Sequence, residues 1–356
     1  MTNNKMGAFR NQLFIGLTMF GTLVGIGFAS GKEIWYYFAR FGNVAFPMIV
    51  LTGILFCGAS YLFFSFGKRF QISTVQQCNG IIFGKFAIAG EIILVLSNLI
   101  LLASMFAGAN TLFEIIIPNM PYRLASIITG LVTFAVVCSG FKGITKANAI
   151  ITPLLIMVVL IILVVSIFMG GSPLSTQQLS WGNFSWGLTY ALLFVSSNMF
   201  FSGFIFARMG KEYSNKEILG GSIVGASFLV LSLIGTTMAL FANPDMVNSD
   251  MPIITIAYSL NNIFAYCILG IVWLGLLTTA FALLYTVSNW LKTYLGSGAI
   301  VVLLTTIIAL GMSGLGFASF VEYVYPAMGM LGVAFILFVI IAENKNRKLE
   351  KKTQIK

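Results

Sequence analysis

The sequence predicts an all-α polytopic membrane protein with ten transmembrane helices, arranged as two sets of five. Three observations carry this. The 356-residue chain is 58% hydrophobic and only 8% charged, whereas soluble domains are roughly a quarter charged. Uncharged runs recur at 41–67, 147–207, 251–291, 293–321 and 323–342, each long enough to cross a bilayer, which takes about 20 apolar residues. Helix-breaking residues fall in the first and the sixth segments, at matching places in the two sets.

Cutting the runs at Gly, Pro and charge clusters gives spans at 12–39, 43–67, 85–116, 121–140, 146–169, 184–209, 215–241, 262–291, 295–315 and 318–342. Residues 1–342 then form one transmembrane domain, with inverted repeats at roughly 12–169 and 184–342, and residues 343–356 form a basic cytoplasmic tail. The turn-rich stretch GGSPLSTQQLSWGNFSW separates the repeats, and DMPIITIAYSL, before the eighth segment, reads as a short outer capping helix. The segment from MTNNKMGAFRNQLF has no small-residue cleavage site after a short apolar core, so the first helix is its own insertion signal.

Charge placement tests the cut. With the N-terminus cytoplasmic, seventeen of the 20 Lys and Arg residues fall on the inner side, and Lys32, Arg40 and Arg123 fall on the outer side. That is the positive-inside distribution, and it places both termini in the cytoplasm and the chain in the cell membrane. The net charge of +10 is therefore a topology signal, and nucleic acid is not a partner. The basic tail reads as a solvated anchor that can also touch anionic lipid.

The chain has no histidine, and its four cysteines, Cys57, Cys78, Cys138 and Cys267, are far apart. This removes zinc clusters, disulfide frameworks and histidine-dependent triads, so the chain does not read as an enzyme.

The first break lies in GTLVGIGFASGKE (21–33), where four glycines fall inside a membrane span. Glycine is about 1 kcal/mol worse than alanine in a helix. The second lies in LLFVSSNMFFSGF (192–204), where Ser196, Ser197 and Asn198 sit consecutively at mid-depth and compete with the helix for backbone groups. Irregular backbone at membrane depth is tolerated only where it is buried in protein or lines a cavity. Interruptions at matching places in two inverted halves point to a secondary transporter with its substrate between them. Ordinary small-residue helix packing is the blander account of the glycines.

These residues resemble the LeuT-fold amino acid–cation symporters of the amino acid/polyamine/cation superfamily. Gly21-Thr-Leu-Val24-Gly25-Ile-Gly27 is similar to their broken first helix, and Gly275-Leu-Leu-Thr278-Thr279 to the sodium motif of their eighth. The GFASGKE run and the chain length narrow the resemblance to the YkvI-like membrane proteins. The resemblance implies a sodium ion held by the carbonyls of Gly21, Val24 and Gly275 and the hydroxyls of Thr278 and Thr279. Back-bonding of the two threonines within their helix is the alternative. It further implies a small organic substrate, such as an amino acid or amine, with a carboxylate on the amides of Ile26 and Gly27. An amino group would rest on carbonyls freed by a break at Val195–Asn198, with Phe28, Phe194, Ser196, Ser197, Met199 and Phe200 around the pocket. Phe28 and Val195 replace polar side chains of the family's first sodium site, so at most one cation is expected, and no cofactor beyond it.

Charges inside spans are functional suspects. Lys32 with Glu322, or Arg40 with Glu33, reads either as an outer gate or as surface pairing, while Glu91 and Glu114 read as residues that snorkel. Trp35, Tyr36, Tyr37 and Phe38 read as an interfacial aromatic belt. Some proton-coupled relatives place a lysine of the fifth helix near the sodium position, so Lys142 and Lys146 keep proton coupling open. The near-repeat of GIGFAS at 314–319 reads as chance in a glycine- and phenylalanine-rich chain. The rival to a symporter is a nutrient-sensing receptor subunit of the spore-germination type, which shares the fold.

Overall fold

The computed structural model describes residues 2–117, 119–121, 123–168, 181–296, 298–314, 317 and 320–354. Among these no strand occurs. Most of the stretch at 170–186 and four of the six positions at 314–319 lie outside the described residues.

The first span divides into three pieces: α1 (Thr2–Leu23), α2 (Ile26–Ala29) and α3 (Lys32–Tyr37). Then follow α4 (Ala45–Phe70), α5 (Val75–Phe83), α6 (Ala87–Ile116), α7 (Leu124–Cys138) and α8 (Gly140–Phe168). After them come α9 (Trp181–Gly210), α10 (Asn215–Ala242), α11 (Pro252–Leu260), α12 (Asn262–Leu295), α13 (Ala299–Met312) and α14 (Tyr325–Gln354). Six of the described helical stretches are long and apolar enough to cross a membrane, and two shorter ones are apolar.

Local chemistry sets several ends. Ser214 and Glu217 form a reciprocal capping box that starts α10, satisfying amides that a helix start leaves open. Asn261 accepts from the amides of Ile263 and Phe264 and starts α12. Pro252 occupies the first turn of α11, where its missing N–H is harmless. The short outer helix expected at 250–260 is therefore present. The inner helix α5 was not anticipated; Thr74 caps it by accepting from the Gln77 amide, and this T-x-x-Q spacing is a capping signal.

Two groups of helices pack around the centre. One comprises α1, α4, α9 and α10, with α14 against α9, and the other α6, α7, α12 and α13, while α8 lies between them and packs on α10 and α1 as well as on α12. The first group is knitted by glycines at backbone contact. A Cβ on Gly67 would overlap the backbone of Ala207, and one on Gly210 the backbone of Phe64, so α4 and α9 cross with nothing between them. On α10, Gly221 and Gly225 make room for the side chains of Ile15 and Met19 of α1. Small residues are the means of close approach in a bilayer, where burial supplies no hydrophobic drive between helices.

The sixth-segment break is corrected. Helix α9 runs unbroken through Ser196, Ser197 and Asn198. Ser197 Oγ donates to the Phe194 carbonyl at 3.0 Å, Asn198 Nδ2 to the same carbonyl at 2.8 Å, and Ser196 Oγ to the Leu193 carbonyl at 3.2 Å. Each polar group meets its need on the preceding turn, so the helix need not open.

The aromatic run after α2 is also corrected. Tyr37 and Phe38 are fully buried, packed edge-on against Phe194 at ring distances of 5.5 and 5.2 Å. They are core, and only Trp35 and Tyr36 are partly exposed.

Candidate functional site

The break in the first span starts with one amide. In a continuous helix the Gly25 N–H would reach the Gly21 carbonyl four residues back; here it turns to the Leu23 carbonyl at 2.8 Å. Helix α2 resumes with Ala29 N–H on the Gly25 carbonyl at 2.9 Å and ends at Gly31, whose φ of 82° lies in the left-handed region. Glycine takes that conformation without the penalty of a Cβ. The Ser30 carbonyl, freed at this second turn, accepts from the Ile253 amide of α11 at 3.0 Å. The outer capping helix is thus tied to the end of the break.

Helix α12 meets the first break closely. A Cβ on Gly275 would lie 3.2 Å from the Val24 carbonyl oxygen. Thr279 Oγ1 donates to the Thr22 carbonyl at 3.1 Å, and Thr278 Oγ1 to the Gly275 carbonyl at 2.7 Å. On the other side, α8 brings Thr152 so near Gly21 that a Cβ on Gly21 would collide with Thr152 Oγ1. Asn148 Nδ2 donates to Thr22 Oγ1 at 3.2 Å. The buried Thr152 Oγ1 and Asn148 Oδ1 have no hydrogen-bond partner. Gly21, Val24, Gly275, Thr278 and Thr279 are therefore brought together, and two oxygens of α8 that sequence reasoning passed over join them. Lys142 and Lys146 are exposed, and the residues α8 turns toward the break are Asn148 and Thr152.

This oxygen-rich cluster suits a hard cation, which takes several carbonyl and hydroxyl oxygens. Each threonine hydroxyl donates its one hydrogen to a carbonyl and keeps lone pairs for a metal.

Beside it lies a central cavity of about 30 Å³, room for one or two waters. Its wall includes Thr22, Gly25, Glu33, Ser197, Asn198, Thr279 and Tyr325. The expected pocket residues divide. Ser197 and Asn198 line the cavity, whereas Ser196 faces α14 and donates to the Gly329 carbonyl at 2.7 Å. Phe194 packs on Tyr37 and Phe38, Phe200 on Phe201 and Phe335, and Met199 is fully buried. Phe28 packs edge-on against Phe20, and the Ile26 side chain lies outside the described residues.

The outer charges do not form the expected pairs. Lys32 Nζ donates to the Ser249 carbonyl at 3.0 Å and the Asn248 carbonyl at 3.4 Å, both in the turn before α11. Glu322 is exposed. The Arg40 guanidinium stacks on Tyr36 and Tyr190 at 4.1 and 4.3 Å. Glu33 turns inward to the cavity, because neighbours along a helix point about 100° apart. Two buried acids are structural. Glu91 is buried and accepts from Trp290 Nε1 at 2.8 Å, and Glu343 pairs with Arg69 at 2.9 Å. Glu114 is exposed, as a snorkelling residue would be.

Solved structures with this arrangement are membrane transporters. The transporter MhsT in complex with L-phenylalanine superposes with a TM-score of 0.62 at 18% identity, covering 93% of this chain and 96% of that one. A Na+-coupled sialic acid symporter in a substrate-bound outward-open state gives 0.65 at 14% identity, over 93% and 78%. The chain has the LeuT fold. Transporters of the LeuT fold, not enzymes, are thus its structural neighbours, among them a nucleobase-cation-symport-1 family transporter at TM-score 0.63 and 15% identity, over 91% and 77%. In sequence, the uncharacterised membrane protein YkvI of Bacillus subtilis (strain 168) is 28% identical over 326 residues, 89% of this chain and 91% of YkvI. The protein YyaD of the same strain is 22% identical over 91% and 95%. No protein-family model matches. The expected resemblance to the YkvI-like proteins therefore extends along nearly the whole chain.

Proposed function

We propose that the chain is a secondary active transporter that couples one cation, sodium, to the uptake of a small organic solute such as an amino acid or amine. The observation that carries this is the break at Val24–Gly25, with Gly275 packed on the Val24 carbonyl and Thr279 bonded to the Thr22 carbonyl at the wall of a central cavity. Ten spans form two inverted sets of five, both termini are cytoplasmic, and the chain sits in the cell membrane. The group α1, α4, α9 and α10 rocks against the group around α6, α8 and α12.

A cation at the oxygens of Gly21, Val24, Gly275, Thr278 and Thr279 bridges the two groups. It therefore binds one conformation more tightly than the other, and this differential affinity is the coupling free energy. The neighbours' sodium- and cation-coupled symport supports the reading.

The test is uptake into proteoliposomes of purified protein under an inward sodium gradient, across a panel of labelled amino acids and amines. Replacing Thr278→Ala together with Thr279→Ala is expected to reduce uptake to background. Equal uptake on a proton gradient in sodium-free buffer overturns the sodium assignment. Ligand binding with no flux on any gradient overturns transport and favours a sensing receptor.

A further inference from the structure

The carboxylate of Glu33 has no role in the outer gate for which its sequence position suggested it. It is 6% exposed and lines the central cavity. A Cβ on Gly27 would lie 2.9 Å from Glu33 Oε2 and 3.3 Å from Tyr325 Cε2, so the carboxylate folds back over Gly27 beside the Tyr325 ring. Among the described residues no Lys or Arg lines this cavity, and no hydrogen bond or ion pair to the Glu33 carboxylate is made. The two nearest cations in sequence are engaged elsewhere, Lys32 on the α11 turn and Arg40 on its aromatic rings. An unpartnered buried charge is strongly disfavoured, and a carboxyl so placed is neutral unless a cation stands beside it; a cationic ligand supplies that missing partner.

Two further facts set the ligand's chemistry. Helix α9 is unbroken, and its Phe194 carbonyl is already engaged by Ser197 and Asn198, so no freed carbonyls remain there for an amino group. The Glu33 carboxyl already occupies the space over Gly27, where the carboxylate of an amino acid substrate was expected, and the two groups ionised together would repel.

We infer that Glu33 is an acidic subsite that receives the ammonium group of a small organic amine carrying no neighbouring carboxylate. This deepens the transport reading and rests on it. The Ser197 hydroxyl and the Tyr325 ring complete the headgroup's surroundings, since an ammonium offers three hydrogens and is drawn to aromatic rings. The cavity of about 30 Å³ has room for the headgroup alone, so the rest of the ligand needs space beyond it.

The test measures thermal shift of the full-length protein in detergent at neutral pH with two matched sets of probes. These are phenethylamine, L-phenylalanine and phenethyl alcohol, then isobutylamine, L-valine and isobutanol. At least one amine is expected to stabilise saturably, without the matching amino acid or alcohol doing so. Glu33→Gln is expected to weaken that amine about tenfold or more, as loss of a charged hydrogen bond does. Gly27→Ala, which displaces the carboxylate but keeps its charge, is expected to weaken it as well and serves if Glu33→Gln does not fold. Silence of every amine, equal binding of the amino acid, or an unchanged Kd in both variants overturns the proposal. So does amine binding that survives Glu33→Gln while uptake loses its response to pH, which makes Glu33 a proton carrier. Amine binding without flux keeps the subsite and sinks transport; flux of an amino acid without amine binding does the reverse.

Discussion

The first and sixth spans, equivalent in the inverted repeat proposed for this chain, solve the same chemical problem in opposite ways. The α1 segment opens at Val24–Gly25, where glycines bring no side chain that could replace a lost backbone bond. Its loosened groups are taken up by neighbours, with the Thr22 carbonyl on Thr279 and the Ser30 carbonyl on Ile253. Helix α9 carries hydroxyls and an amide at the corresponding depth, and these bond back to their own helix. Polarity alone therefore does not break a membrane helix. Removal of side chains, combined with a neighbour that offers a partner, does.

The largest test attacks the intact helix from outside. Gly332 of α14 lies so close to α9 that a Cβ would overlap the Ser196 carbonyl. Because that obstacle is backbone, Gly332→Leu cannot be relieved by a rotamer change. Overpacking costs roughly 1–3 kcal/mol and sometimes more, and here the upper end or loss of the folded monodisperse state is expected in size-exclusion and thermal-melting measurements. A variant that melts like the parent shows that α14 is free to move from α9.

The next test concerns the broken helix. Gly21→Ala places a methyl group against Thr152 Oγ1, and a loss of about 1–2 kcal/mol is expected. Thr152→Ala in the same chain removes the obstructing hydroxyl and is expected to restore most of the melting temperature. Failure of the pair to restore it means that Gly21 is needed for backbone freedom and not for the approach of α8. In that case the break extends further into α1 than its last helical residue.

Much of the architecture was legible because it follows from solvation. The span expected at 215–241 is the helix Asn215–Ala242, and that expected at 262–291 begins at Asn262; apolar run and cap coincide at both. The close approach of helices was legible where a backbone property decides it, as at Gly275 against the Val24 carbonyl. The site was not legible where rotation decides it. Once α1 breaks, sequence spacing no longer fixes which way α3 faces, so Lys32 and Glu33 looked equivalent, although one reaches the α11 turn and the other the cavity. Tyr37 and Phe38 were misplaced for the same reason. At 196–198 the composition was read correctly as polar, but the competition between back-bonding and breaking depends on whether another element claims the freed groups. The sequence does not state that. Gln77 after Thr74 was a readable cap, overlooked because α5 is too short to show a period.

The smallest effects separate the three polar residues of α9 by what each one touches. Ser197 and Asn198 both donate to the Phe194 carbonyl of their own helix, so replacing both by alanine removes two donors and leaves that carbonyl to the helix's own backbone amide. Alanine also favours helix by several tenths of a kcal/mol per site. A net change within about 0.5 kcal/mol is expected in the double variant. Ser196 differs because its hydroxyl also reaches the Gly329 carbonyl on α14. Ser196→Ala therefore removes an interhelical bond, for which about 0.6 kcal/mol is typical in membranes, and its melting temperature should fall below that of the double variant. Helical content by circular dichroism should stay constant in all three. If the double variant instead gains helix, α9 was partly open at Ser197 in solution, and the contrast between the two spans would be one of degree in how far each opens.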